Sequence, residues 1–195
     1  MFQSLQIQNK VYKRPLLVFA MEMEAAHAFP TPNIVFTGIG KVNAAYGLMK
    51  GIQEFKPDLI VNLGTAGSNF LKKGEIACCT SFVQRDMDAT PLGFEKFKTP
   101  YSKHGVEINY GIKLDNFPEF ICGSGDSFDV EHSGEMYQVV DMEAYALALI
   151  SKEENIPFLC LKYISDGADR GAVDDWRTEV KKAAKRLHEV LTEFI

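Results

Sequence analysis

The 195-residue chain is 46% hydrophobic and 24% charged, a globular balance that excludes a disordered or fibrous protein. Its 21 Lys and Arg against 26 Asp and Glu leave a net charge of −5, which speaks against a general binder of the nucleic-acid backbone. At this length we expect one domain over residues 1–195, burying roughly 70% of its extended surface without staples or metal. Residues 1–14 read as a tail or edge segment. The N-terminus has no basic start followed by an apolar block, so no secretory signal is expected. The longest apolar runs, such as residues 144–150, are too short to span a bilayer. Cys78, Cys79, Cys122 and Cys160 lie in apolar stretches without zinc or redox spacing. They read as buried free thiols in a reducing cytoplasm.

Residues 16–20, a continuous apolar run after Pro15, predict a strand buried on both faces. Residues 34–36 predict a second strand, ending at Thr37-Gly38-Ile39-Gly40. Val42, Ala45, Leu48, Met49 and Ile52 then recur at helical spacing to Phe55. Pro57 stops that helix, and residues 59–63 form the clearest strand, running into Gly64-Thr65-Ala66-Gly67-Ser68. Residues 75–83 read as a strand pair or one long strand. Residues 84–118, rich in Gly, Pro, Asn and Asp, read as loops and short elements at an active-site rim. A brief strand at 120–122 precedes Gly123-Ser124-Gly125-Asp126-Ser127, and residues 139–140 lead into a helix over 142–154. Residues 158–164 predict another buried strand. Asp174-Asp175, where a helix N-terminus favours negative charge, start a closing amphipathic helix to Phe194.

Strands alternating with helices, several of them apolar throughout, call for a three-layer α/β/α domain with a mostly parallel central sheet. Ligands sit outside the carboxyl ends of such strands, so the residues after Ala20, Leu63, Cys122 and Ile164 should converge on one crevice.

Gly38-Ile39-Gly40-Lys41-Val42-Asn43 falls short of a dinucleotide fingerprint. Asn43 stands where the third glycine belongs, and no acidic residue closes the strand at 59–63, so a tight strand-to-helix turn is the better reading. Gly125-Asp126-Ser127 resembles an esterase nucleophile block, but it is far from the chain start and lacks the distant Asp–His pair. No Gly-x-Ser-x-Gly elbow occurs either. His27, His104, His132 and His188 lack ligand spacing and read as surface or loop residues. Lys72-Lys73 and Lys181-Lys182 read as solvated faces. Glu22 and Glu24 follow the first long strand, Glu143 opens a helix and Asp166 follows the last long strand. Each alone is a solvated or capping carboxylate. Gathered at one sheet edge, they point to acid–base chemistry such as hydrolysis through a cationic transition state.

Six stretches in order then resemble the nucleoside phosphorylase and nucleosidase superfamily. They are Met21-Glu22-Met23-Glu24, Gly38 to Ala45, Lys56 to Gly67, Ser124 to Phe128, Val140 to Ala144 and Ile164 to Asp169. The branch most resembled is methylthioadenosine/S-adenosylhomocysteine nucleosidase, and the match runs from about residue 15 to the C-terminus. The resemblance implies a phosphorylase-like fold and cleavage of the N-glycosidic bond of a purine nucleoside. Asp166 matches the acid that protonates the purine at N7, and Glu24 the carboxylate that orients the attacking water. Glu143 and Met142 match the grip on the ribose hydroxyls, with Ser165 beside the acid. Thr65, Ala66 and Gly67 match the loop lining the ribose pocket, and Phe128 matches the aromatic that stacks on the purine. Asp129 offers its backbone to the purine edge where relatives often carry an apolar residue.

The resemblance further implies no cofactor and no metal, a small-molecule nucleoside as partner, no nucleic acid or membrane, and a homodimer. The Met21–Gly38 interval and residues 94–121 are shorter than in the typical nucleosidase, and both regions shape the dimer and the pocket for the 5′-substituent in relatives. Lys162 stands near a family arginine. Family phosphorylases hold phosphate with arginines, one of them in the first strand-end loop. Here that loop carries Glu22 and Glu24, which would repel a phosphate dianion, so water is the better nucleophile. Phosphorolysis, or a trimmed binding protein without turnover, are the alternatives.

Overall fold

The computed structural model describes residues 4–129, 136–169 and 171–194, and begins with a hairpin, β1 (Leu5–Ile7) and β2 (Lys10–Tyr12). Leu5, Ile7 and Tyr12 pack in one cluster with Leu187 and Leu191 near the other end of the chain. The Gln6 N–H donates to the Phe194 carbonyl at 2.6 Å. These strands form a two-stranded sheet of their own. At three residues each, they are too short for period-two alternation to register.

The remaining elements are β3 (Pro15–Phe19), the single turn α1 (Glu22–Ala25), β4 (Ile34–Phe36), α2 (Lys41–Phe55), β5 (Leu59–Gly67) and β6 (Ile76–Gln84). After them come β7 (Glu107–Asn109), β8 (Glu119–Ser124), β9 (Val139–Asp141), α3 (Ala144–Glu153), β10 (Phe158–Asp166) and α4 (Ala172–Thr192). Residues 76–84 are thus one strand and not a pair. Residues 85–106 hold only a short 3-10 turn at Thr90–Leu92, in keeping with their Gly and Pro content.

The layers follow from alternation along the strands. Leu16, Val18, Ile60 and Cys160 face a cluster with Leu48 of α2 and Leu147 of α3. Leu17, Phe19, Val61 and Leu159, one residue out of phase, face Leu187 and Val190 of α4. Strands covered on both sides can be apolar throughout, and all nine residues of β10 are buried. All four cysteines are free and buried among them.

The α/β layering is as expected, but the sheet is mixed. β5 pairs parallel with β3 and β10, while β6 runs antiparallel to β10 and β9 antiparallel to β5. Because β6, β8 and β9 are joined in parallel, the path β10-β6-β8-β9-β5 returns to β10 and closes on itself. Strand direction is invisible in an apolar run, so the reading of a mostly parallel sheet missed this closure. Its consequence is local: at the Gly67–Val140 pairing, the ends of two oppositely running sets of strands meet. Among the described residues, no helix is long and apolar enough to cross a membrane.

Candidate active site

Around that meeting point the chain encloses a cavity of about 300 Å³, at the small end of the range for ligand sites. Its walls include every residue that the resemblance assigned to catalysis or substrate binding: Glu24, Thr65, Ala66, Gly67, Phe128, Asp129, Met142, Glu143, Ser165 and Asp166. Glu22, the other acidic residue expected at this edge, is exposed and does not line it. The expected crevice exists, although strands of both directions contribute to it.

Glu24 lies on the single turn after β3, and is 4% exposed. Its side chain folds back over that turn, where Oε2 accepts the Met21 N–H at 3.2 Å. Oε1 accepts both the N–H and the hydroxyl of Thr65, each at 2.9 Å. A Cβ at Gly64 would come within 3.0 Å of Oε1, so the glycine leaves the carboxylate its seat. Thr65 is fixed in turn by the indole N–H of Trp176 on α4, which donates to its hydroxyl at 3.1 Å.

Asp166 closes β10, the strand beside β5. Its register against β5 shifts between Ile164 and Asp166, and such a bulge re-aims the side chain that follows it. Oδ2 accepts the Ser165 hydroxyl at 2.8 Å, and Oδ1 accepts the Ala168 N–H at 3.0 Å. Burial pushes the Asp166 carboxyl above its ordinary value. The two hydrogen bonds oppose that rise, and Asp175 and Asp169 add to it. A Cβ on Gly67 would lie 2.6 Å from Oδ1, so only glycine lets β5 pass this close.

Glu143 stands at the N-cap of α3, and its Oε1 accepts the Gly40 N–H at 2.8 Å. Gly38 and Gly40 have φ of 89° and 90°, a region that favours glycine. Gly38-Ile39-Gly40 is therefore the tight strand-to-helix turn expected, and it aims a backbone donor across 103 residues of chain. Burial and then Asp141 push the Glu143 carboxyl up to about 8, with Glu24 adding and Lys162 and Gly40 opposing.

Beneath Glu143, the fully buried Lys162 places Nζ 2.8 Å from Asp141 Oδ2. Burial would raise the Asp141 carboxyl, but Lys162, the Ser124 hydroxyl and the Ala144 N–H together hold it below its ordinary value. Breaking such a pair strands a buried charge, so the pair anchors the chain entering Met142 and Glu143.

The third wall is the turn after β8, which carries Phe128 and Asp129. Phe128 is 43% exposed and lines the cavity. Arg85, just beyond β6, holds this turn through the hydroxyl and carbonyl of Ser127 and lies 3.8 Å from Asp129 Oδ2.

Sequence reasoning missed Arg85, Val173, Trp176 and Arg177, which also line the cavity. Arg85 follows a predicted strand, so the strand-end rule applied to β6 would have found it. The α4 residues carry no such signal, because they lie seven or more residues beyond Asp166, the last residue of β10. His27, His104 and His188 lie outside it: His104 pairs with Glu153 at 2.6 Å, and His188 packs edge-on to Phe29. His132 lies outside the described residues.

Comparison with known proteins gives the chain's family and fold. Residues 23–195 match the family model described as the phosphorylase superfamily. The 5′-methylthioadenosine/S-adenosylhomocysteine nucleosidase of Haemophilus influenzae strain PittEE is 31% identical over 189 residues, covering 82% of this chain and 78% of that protein. Among solved structures, the Helicobacter pylori 5′-methylthioadenosine/S-adenosyl homocysteine nucleosidase superposes with a TM-score of 0.80 at 21% identity, covering 92% and 96% of the two chains. The futalosine hydrolase of the same organism superposes equally well, at 0.80 and 20% identity over 91% and 95%. At such identities these structures speak for the fold.

Proposed function

The chain belongs to the phosphorylase superfamily, and we propose that it is a nucleosidase. It would hydrolyse the N-glycosidic bond of an adenine nucleoside of the 5′-methylthioadenosine or S-adenosylhomocysteine type. The observation that carries this reading is the meeting of Asp166, Glu24 and Glu143 in one small cavity. Cleavage builds positive charge on the ribose and negative charge on the departing purine. A buried carboxyl with a raised proton affinity suits the second need, and the Glu24 carboxylate near the sugar suits the first.

In this reading Asp166 delivers a proton to purine N7 while Ser165 orients it. Glu24, which uses all its hydrogen bonds as an acceptor, draws the proton of the attacking water. Glu143 and Met142 hold the ribose hydroxyls, Thr65, Ala66 and Gly67 form the floor under the sugar, Phe128 stacks on the purine and the Asp129 backbone meets its edge. No cofactor or metal enters any step.

Phosphorolysis is the second reading, because Arg85 and Arg177 line the cavity. Both cations already face carboxylates. Arg85 lies beside Asp129, and Arg177, well exposed, lies 3.6 Å from Asp174. With the Glu24 carboxylate lining the same cavity, a phosphate dianion gains little, and water remains the nucleophile. The test is a panel of purine nucleosides assayed for free base with and without phosphate. Base and free ribose without phosphate are expected; release only with phosphate, as ribose 1-phosphate, would overturn hydrolysis.

We further propose that the chain acts as a single domain in the cytoplasm and pairs as a homodimer. Of the apolar residues expected to mediate pairing, Phe70 and Leu92 are 71% and 76% exposed, while Phe94 is half-buried edge-on to Tyr101. Ile39 on the cavity wall is followed along α2 by Val42 and Tyr46, 78% and 67% exposed on one helical face. A second copy over this face would cover the pocket mouth. Sedimentation of Tyr46→Asp should show monomer with reduced activity; a wild type that is monomeric and fully active contradicts the pairing.

A further inference from the structure

One charged cluster at the shoulder of the pocket has no part in the chemistry above. Lys41, the first residue of α2, has a side chain only 13% exposed. Its Nζ lies 2.6 Å from Asp86 Oδ2 and 2.9 Å from Asp126 Oδ2. The Lys41 backbone N–H donates to Asp126 Oδ1 at 2.8 Å, and the Asp126 N–H donates to Asp86 Oδ2 at 2.9 Å. Burial pushes the Asp126 carboxyl up, but Lys41 and then Arg85 outweigh it and hold it below its ordinary value. The three residues close a ring across the start of α2, the end of β6 and the turn after β8.

Each of these segments carries a piece of the pocket beside the ring. Gly40, immediately before Lys41, gives its N–H to Glu143. Arg85, immediately before Asp86, holds Ser127. Phe128 lies two residues beyond Asp126. One side of the ring therefore leads to the ribose grip and the other to the purine stack. Base and sugar are joined by one bond, so an intact nucleoside fits only if these two sites keep a fixed offset.

Resting on the nucleosidase reading, we propose that Lys41 is a positioning residue that sets the offset between the purine-stacking turn and the ribose-gripping carboxylate. The pocket is thereby matched to a whole nucleoside and not to its separate parts. Without the cation, the Asp86 and Asp126 carboxylates face each other and repel. A single backbone hydrogen bond then ties the turn to α2. Arg85 still holds the turn to β6, so the base site keeps its own shape while its registry with Glu143 loosens.

The test compares wild type, Lys41→Met and Lys41→Arg by KM and kcat for 5′-methylthioadenosine and by calorimetric binding of free adenine. Lys41→Met should raise the nucleoside KM about tenfold to a hundredfold, the scale of a misplacement of about 1 Å. Adenine affinity should change less than about threefold, and Lys41→Arg, which restores a cation, should bring KM back to within about threefold of wild type. An unchanged KM in Lys41→Met, or equal weakening for adenine and nucleoside, would overturn the proposal. If Lys41→Met does not fold, Asp126→Asn keeps the shape, removes one charge and must show the same split. The wild type is assayed first: release of no base from any nucleoside overturns the functional reading itself, whereas the variants judge only the offset.

Discussion

The two walls of the cavity hold carboxylates in contrasting surroundings. Glu24, on the wall made by β3 and β5, accepts three hydrogen bonds, two of them from one threonine. Asp166, on the wall made by β10 and α4, accepts two, and burial dominates its environment. The same chemical group is thus prepared on one side to hold and draw on a water, and on the other to keep and then release a proton. The difference lies in what surrounds each group, as in other enzymes whose paired carboxylates take opposite parts.

Removing the proton donor should have the largest effect. Asp166→Asn keeps the shape and a hydrogen bond but lowers turnover of adenine nucleosides by about 10²–10⁴-fold, with binding largely retained. Because burial raises this carboxyl, wild-type kcat/KM should fall on the alkaline side as Asp166 loses its proton, and that limb should be absent in the variant. Steady-state rates across pH measure both.

Glu143 comes next. Its carboxyl is raised from an ordinary 4.5 to about 8, so the folded state holds a proton that the unfolded chain releases. This contribution to stability is complete below about pH 4.5 and is lost as pH rises through 8. Glu143→Gln removes that dependence. Relative to the variant, wild type should lose on the order of a few kcal/mol between pH 5 and 9 in denaturant titrations. Parallel curves for the two proteins would contradict the assignment.

Smaller effects should mark the Glu24 wall. Thr65→Val removes the hydroxyl donor but keeps the backbone N–H. Losing one hydrogen bond to a charged group should cut kcat about tenfold with KM little changed. Trp176→Phe leaves that hydroxyl in place and removes only its anchor, so about a threefold loss is expected, the size of one neutral hydrogen bond. If Trp176→Phe proves costlier than Thr65→Val, the indole acts on substrate and not through Thr65.

How far the sequence carries this picture depends on the length of each signal. β5, β10 and α4 were legible because their patterns run for many residues, and the six motifs named the pocket's principal side chains. The hairpin at Leu5–Tyr12 and the turn at Glu22–Ala25 were not, since three or four residues hold no period. The closure of the sheet was hidden for a different reason: Ile76 to Val83 is equally apolar whichever way its neighbours run. The Lys41 ring depends on that closure, which brings β6, β8 and the start of α2 together, and Trp176 depends on the packing of α4 over β5 and β10. No local pattern announces either.

The contrast between the two carboxylates is tested most directly with a nitrophenyl riboside, whose leaving group departs without a proton. Rates of nitrophenol release should be compared for wild type, Asp166→Asn and Glu24→Gln. Asp166→Asn, crippled on adenine nucleosides, should return close to wild-type rates on this substrate, while Glu24→Gln should stay slow because its amide cannot take the water's proton. Equal losses in both variants on the activated substrate would contradict the division of roles, as would wild-type turnover of adenine nucleosides by Asp166→Asn.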